Sequence, residues 1–276
     1  MAYPVVSAPY GLKPINLIGG QVFAGSTREY AIANGYNTNI FYGDFVALVR
    51  GNLQRISVTS GAAGTLVGIF LGCSYTNPIT KQKQFAQYWP ANTAAGDAVA
   101  IVCDDPDTVF KAVICSTGTT VASGARAMIG QNLACLNNTG STATGNSANA
   151  LAAPTDTPAT TDTLPIRVLG LVPETAVSLG TATFTSIATA TITCSALPFA
   201  LPVGTDVGSL DSNGNYIPSG SFVDTAAAAD DTTVILNQAP VAAFGASATL
   251  VFTQYPELLV KLNFGQHEYY AGTATA

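Results

Sequence analysis

Charge is what this sequence has least of. Ten Lys or Arg and sixteen Asp or Glu among 276 residues make 9% of the chain, with a net charge of −6; an ordinary soluble domain carries about 25%. A chain of that sign and pI near 4.5 has no general attraction for phosphate backbones, so nucleic acid is not an expected partner. Histidine is nearly absent too: His267 alone would have to serve any Ser-His-Asp or Cys-His arrangement. No G-x-S-x-G elbow occurs, and no set of four ligands stands at zinc spacing. Apolar runs are short. The strongest, Leu66 to Cys73, is strand-length and broken by Gly68 and Gly72, far below the roughly 18 residues of a membrane span. No membrane partner is therefore expected. The opening MAYPVVSAPYGLKP has neither a basic nor an apolar signal region, and reads as no signal peptide. The cysteines are odd in number and scattered, without C-x-x-C, and read as free thiols.

What is present is β-forming text. Apolar residues make up 48% of the chain, enough for a substantial core. Residues 1–40 carry prolines at 4, 9 and 14, which forbid helix, and read as an extended arm. Yet this arm holds Tyr10, Leu12, Ile15, Leu17, Ile18, Val22 and Phe23, more apolar side chain than a disordered tail carries. It is expected to be ordered against its own body or a neighbour, and these seven residues are the candidate contacts. From Ile40 onward, short β-branched and aromatic runs alternate with Gly, Asn and Pro turns, the pattern of a barrel or sandwich. Residues 124–136 read as a lone short helix, and 137–163 as a low-complexity surface loop. Between Thr181 and Leu197 the even positions are mostly apolar and the odd ones mostly Thr, which predicts one long strand or two in phase. Asn213-Gly214 reads as a hairpin turn. The expected fold is all-β: a barrel or sandwich formed by residues 41–173 plus 255–276, the 1–40 arm, and a small β module inserted at 174–254.

Two groups of side chains invite a chemical reading. Asp104, Asp105 and Asp107 are the densest charge, and carboxylate oxygens suit a hard cation. Asp and Pro equally favour a solvated turn, and the spacing is not that of an EF-hand loop, so the metal reading is weak. The aromatics Tyr42, Tyr88, Trp89, Tyr216 and Tyr255 could bind a glycan by stacking, or with Phe85 fill a core or interface. No cofactor and no catalytic residue is expected.

Several stretches carry a resemblance. PYGLKPINLIGGQVFAGSTREYAIANGYNTNIFYGDFVALV (9–49), VGIFLGCSYTNPITKQKQFAQYWPANT (67–93), DAVAIVCDDPDTVFKAV (97–113) and LLVKLNFGQHEYY (258–270) resemble a family of virion structural proteins of tailed bacteriophages, among them cyanophages and other marine phages. The chain is similar to head decoration, or cement, proteins. The resemblance implies a non-enzymatic protein on the capsid exterior, assembled in the host cytoplasm. It would contact the major capsid protein at capsomer junctions as a homo-oligomer, a trimer by preference and a dimer as the alternative. A head fibre, a neck or tail component, or a glycan-binding adsorption module are the other readings.

Overall fold

The computed structural model describes residues 6–58, 66–153, 164–186, 189–209, 217–263, 265 and 267–270. Asn213-Gly214, Tyr216 and Phe264 fall outside them. The protein is nearly all β, with 47% of residues in strands and 3% in helix, and its sheets form a nearly closed barrel and a half-barrel.

Among the described residues the strands form three sheets. The first runs in the order Asn132–Leu133, Ile166–Leu171, Glu257–Leu262, Thr108–Thr117, Ala150–Ala152, Cys135–Leu136. Lys13–Leu17 and Thr120–Val121 also pair with its central strand, Thr108–Thr117. The second runs Arg28–Ala31, Val99–Cys103, Gly68–Thr76, Phe45–Val49, Asn52–Arg55, with Lys83–Ala86 added to Gly68–Thr76. The third draws all six strands from Val177–Gln254, in the order Asp206–Ser209, Phe244–Gln254, Val177–Ser186, Thr191–Cys194, Thr233–Leu236, Val223–Thr225.

The second sheet is apolar on both faces, and the reason is positional. Phe45, Ile69 and Cys103 point into one core, shared with Phe110, Ile114, Leu258 and Val260 of the first sheet. Their chain neighbours Val46, Phe70 and Val102 point into a second core with Ile40, Leu53 and Trp89. A strand covered on both sides reads as a continuous apolar run instead of an alternating one, as GIFLGCSY does. The third sheet shows the opposite texture. Ala182, Phe184, Ile192, Val234, Leu250 and Phe252 face its own core, while Thr181, Thr183, Thr191 and Thr193 are exposed. The alternation read between 181 and 197 is two strands in phase, paired antiparallel with Phe184 opposite Cys194.

Two expectations are corrected. Residues 124–136 do not form the expected helix. They hold one 3-10 turn at Arg126–Met128, then the short strands Asn132–Leu133 and Cys135–Leu136. Gly130, at φ +84, closes the turn in a conformation no helix continues, and both strands find partners distant in sequence. Residues 137–163 are not simply a surface loop. Ala150–Ala152 lies parallel to Thr108–Thr117, with Ala150 and Leu151 fully buried; residues 154–163 lie outside the described set.

Candidate interaction surface

The N-terminal segment is woven into the body. Lys13–Leu17 pairs antiparallel with the start of Thr108–Thr117, and Arg28–Ala31 forms an edge of the second sheet against Val99–Cys103. Gly11 makes the approach possible. Its φ is +77, and a Cβ there would lie 2.7 Å from the carbonyl oxygen of Gly43. The amide of Leu12 donates to that same oxygen at 3.2 Å.

The seven candidate contact residues divide by direction. Leu12 is fully buried in the main core, and Phe23 packs partly against it. Tyr10 is half-buried, with Lys13 Nζ 4.2 Å from its ring centre; its hydroxyl donates to Glu257 Oε1. Leu17 is half-buried, and its amide closes a tight loop onto Gln21 O at 2.8 Å. Ile15, Ile18 and Val22 point outward, at 39%, 52% and 80% exposure. Three outward apolar side chains therefore stand on the strand Lys13–Leu17 and the loop after it, and backbone bonds, including Ile18 N–H to Asp107 O at 2.9 Å, fix both to the body.

The scarce acids are concentrated where distant segments meet. Asp44 is fully buried. It pairs with Arg55 Nε at 2.8 Å and accepts from Ser147 Oγ at 2.6 Å, Asn149 Nδ2 at 3.0 Å and Phe41 N–H at 2.9 Å. Burial pushes its carboxyl above the usual range, and those partners pull back only part of the way. Glu257, 2% exposed, holds the Tyr10 hydroxyl and Lys111 Nζ, the latter at 3.1 Å. Burial, then the Glu257 hydrogen bond, raise the Tyr10 phenol far above its ordinary value.

Asp104 is the third such acid. Arg28 Nε lies 3.1 Å from its Oδ2, and the hydroxyls of Tyr30 and Tyr269 donate to the same oxygen. The two phenols also touch one another at 2.6 Å. The loop candidates for metal are thus engaged otherwise. Asp104 ties the second sheet's edge to residues 267–270. Asp105 Oδ1 accepts the Asp107 amide at 2.9 Å, and Asp107 Oδ1 lies 3.6 Å from Lys261 Nζ. Among the described residues no group of three or more His, Cys, Asp or Glu is placed to hold a metal ion.

His267 is fully buried, with both ring nitrogens in hydrogen bonds to main-chain groups. It does not face solvent as a base would need to. The aromatic set divides as well. Trp89 is fully buried edge-on to Tyr75, at 5.3 Å between ring centres, and Tyr88 stacks on Phe41 at 5.6 Å. These two rings serve packing and present no joint stacking platform for a sugar. Phe85, from the same stretch, is 82% exposed, and Ile79 is 88% exposed. Sequence reading assigned Phe85 to a core or interface and passed over Ile79. The available signal was phase: Phe85 stands two residues after Lys83 in a strand, hence on the same outward face.

No family model, no curated protein and no solved structure matches the chain.

Proposed function

We propose that this protein is a non-enzymatic virion component that decorates the outside of a tailed-phage head. It works as a homo-oligomer, preferably a trimer, at capsomer junctions. The observation that carries the reading is the outward set Ile15, Ile18 and Val22, on the strand Lys13–Leu17 and the loop after it, held to the body by backbone bonds. Such side chains gain by being covered, at about 25 cal/mol per Å² of apolar surface. Because their segment is already ordered, covering them costs little further chain entropy. The low charge and the sequence resemblance to virion proteins support the same reading. A cement role is mechanical: a copy that binds only the assembled lattice stabilises it by mass action.

The natural test, removing residues 1–25, is unsuitable. It would take Leu12 from the core and a strand from the first sheet. Point changes on the outward set avoid this. Capsids of the phage that encodes the chain, prepared without it, are incubated with purified protein and sedimented. Wild type should co-sediment, and an Ile18→Asp/Val22→Asp double variant with an unchanged circular dichroism spectrum should not. Full occupancy by the variant, or no wild-type density on the head by cryo-EM, overturns the proposal.

A further inference from the structure

The hairpin of Gly68–Thr76 and Lys83–Ala86 carries the two most exposed large apolar side chains among the described residues, Ile79 and Phe85. Their exposure does not belong to a loose loop. Asn77 organises the tip: its side-chain oxygen accepts the amides of Ile79 at 2.8 Å and Thr80 at 3.2 Å. Its carbonyl accepts Lys81 N–H at 2.9 Å, and its own amide donates to Gln82 O at 2.9 Å. At the base, Asp97 receives the Thr76 amide at 3.0 Å, the Thr76 hydroxyl at 2.7 Å and Lys83 Nζ at 3.1 Å. Ile79 thus sits on a turn shaped before any partner arrives, and Phe85 stands on a strand that pairs on one side only, with Gly68–Thr76, among the described strands. A rigid apolar projection beside an open strand edge is the form of a docking element.

Charge selects the occupant. From Thr76 to Pro90 the sequence holds Lys81 and Lys83 and no acid, in a chain whose net charge is −6; Asp97 neutralises Lys83, which leaves the exposed Lys81 as the cation the hairpin presents. This cationic, apolar hairpin is complementary to the surface of an acidic protein, and the acidic protein always present is the chain itself. We propose that the hairpin is a hook that docks on a second copy of this chain, with Phe85 and Ile79 as apolar anchors and Lys81 facing the neighbour's acidic surface. Hook and receiving surface are different patches, so the contact is head-to-tail, and such contacts close into rings when the rotation allows. The inference rests on the homo-oligomer reading above and names the contact that makes it.

The test uses the full chain. Light scattering after size exclusion gives its mass across a dilution series, at low and at high salt. Wild type should run as a multiple of 28.1 kDa. Phe85→Asp and Ile79→Asp should shift the mass toward one chain, with the dissociation constant raised at least ~30-fold, as for an interface anchor. Lys81→Glu should weaken association mainly at low salt. Unchanged circular dichroism shows that each variant is folded; Phe85→Ser serves if the aspartate variant is not. A single-chain mass for wild type, or multimers indifferent to all three changes, overturns the inference. So does a Phe85→Asp protein that stays multimeric but loses head binding, since the hairpin would then face the capsid. Wild type that self-associates through the hairpin yet never binds heads leaves the inference standing and removes the decoration reading.

Discussion

His267 donates from Nε2 to the main-chain carbonyl of Asp104 at 3.1 Å, joining residues 163 positions apart in the chain. Its Nδ1 accepts the amide of Tyr269 at 3.3 Å. A carbonyl accepts and an amide donates, so the two bonds together require the neutral ring with its proton on Nε2. Protonation would set an Nδ1–H against the Tyr269 N–H. The bond to the Asp104 carbonyl survives protonation and the bond from the Tyr269 amide does not, so residues 267–270 are fully bonded to the ring only while it is uncharged.

This makes the protein acid-sensitive in a defined window. Burial lowers the ring's pKa below its ordinary 6.5, and the smaller opposing pulls of the Asp104 carbonyl, of the Asp104 and Asp105 carboxylates and of the Val67 main chain do not reverse it. The unfolded chain takes up a proton as pH falls through about 6.5, while the native chain resists until lower pH. This contribution is thus complete above pH 6.5 and is lost as pH falls toward the folded value. Urea unfolding at pH 8, 6.5 and 5.5 should show the decline, and His267→Gln should flatten it. Asp44 and Asp206, whose carboxyls burial raises, favour the fold as pH falls, so the comparison is the difference between wild type and variant. Identical slopes in the two would refute the assignment.

Asp44 and Asp97 form a matched pair for testing what burial does to an ion pair. Asp44 is fully enclosed and its partner Arg55 is mostly buried, whereas Asp97 and Lys83 are each nearly half exposed. Asp44→Ala leaves the Arg55 guanidinium, and the groups contributed by Ser147 and Asn149, without their acceptor. It should cost about 3 kcal/mol, the scale of breaking a buried pair. Asp97→Ala should cost clearly less, because water screens the exposed pair. Urea midpoints for the two variants decide it; equal losses would mean that the Asp44 network contributes little.

Strands were legible wherever one face met solvent. The Thr alternation from 181 is a local record of a half-buried sheet, and it survives in the structure. The closing strand Glu257–Leu262 shows no such contrast: Leu258, Val260 and Leu262 are buried, and so are Lys261, which reaches Asp107, and Asn263, which donates to the Leu164 carbonyl. The stretch 124–152 misled because its order comes from distant partners. Ala150 looks like loop composition, yet it is fully buried in a cluster with Val113 and Cys115. The roles of Asp104 and Glu257 had no local signature at all. Their partners Arg28, Tyr30, Tyr269 and Tyr10 come from the two ends of the chain.

Gly68 and Gly96 separate steric need from mere glycine content. A Cβ on Gly68 would stand 2.2 Å from the carbonyl oxygen of Cys103, in the backbone of the neighbouring strand, whereas one on Gly96 would meet nothing within 4 Å. Neither has a left-handed φ. Gly68→Ala must push two paired strands apart and should cost about 3 kcal/mol, the upper part of the overpacking range. Gly96→Ala should be neutral or slightly stabilising, through the lower entropy of the unfolded chain. Thermal melts of both show whether the second sheet tolerates the added carbon; a neutral Gly68→Ala would mean the strands separate freely.

Tyr10 and Val22 lie on the same segment but face opposite ways, and their substitutions should act on different measurements. Tyr10→Phe keeps the ring beside Lys13 and removes only the hydroxyl that donates to Glu257. Glu257 retains Lys111, so the loss is one charge-assisted hydrogen bond to a buried acceptor, about 1.5 kcal/mol. The urea midpoint should fall at constant m-value, since no further surface is exposed. Head binding by the folded fraction should persist, because Tyr10 turns inward. Val22→Ser changes a side chain that is 80% exposed. Its urea midpoint should stay within about 0.5 kcal/mol of wild type, as for surface changes in general, while co-sedimentation with capsids weakens. If Val22→Ser destabilises the fold and leaves binding intact, the outward set belongs to the protein's own packing and the capsid contact lies elsewhere.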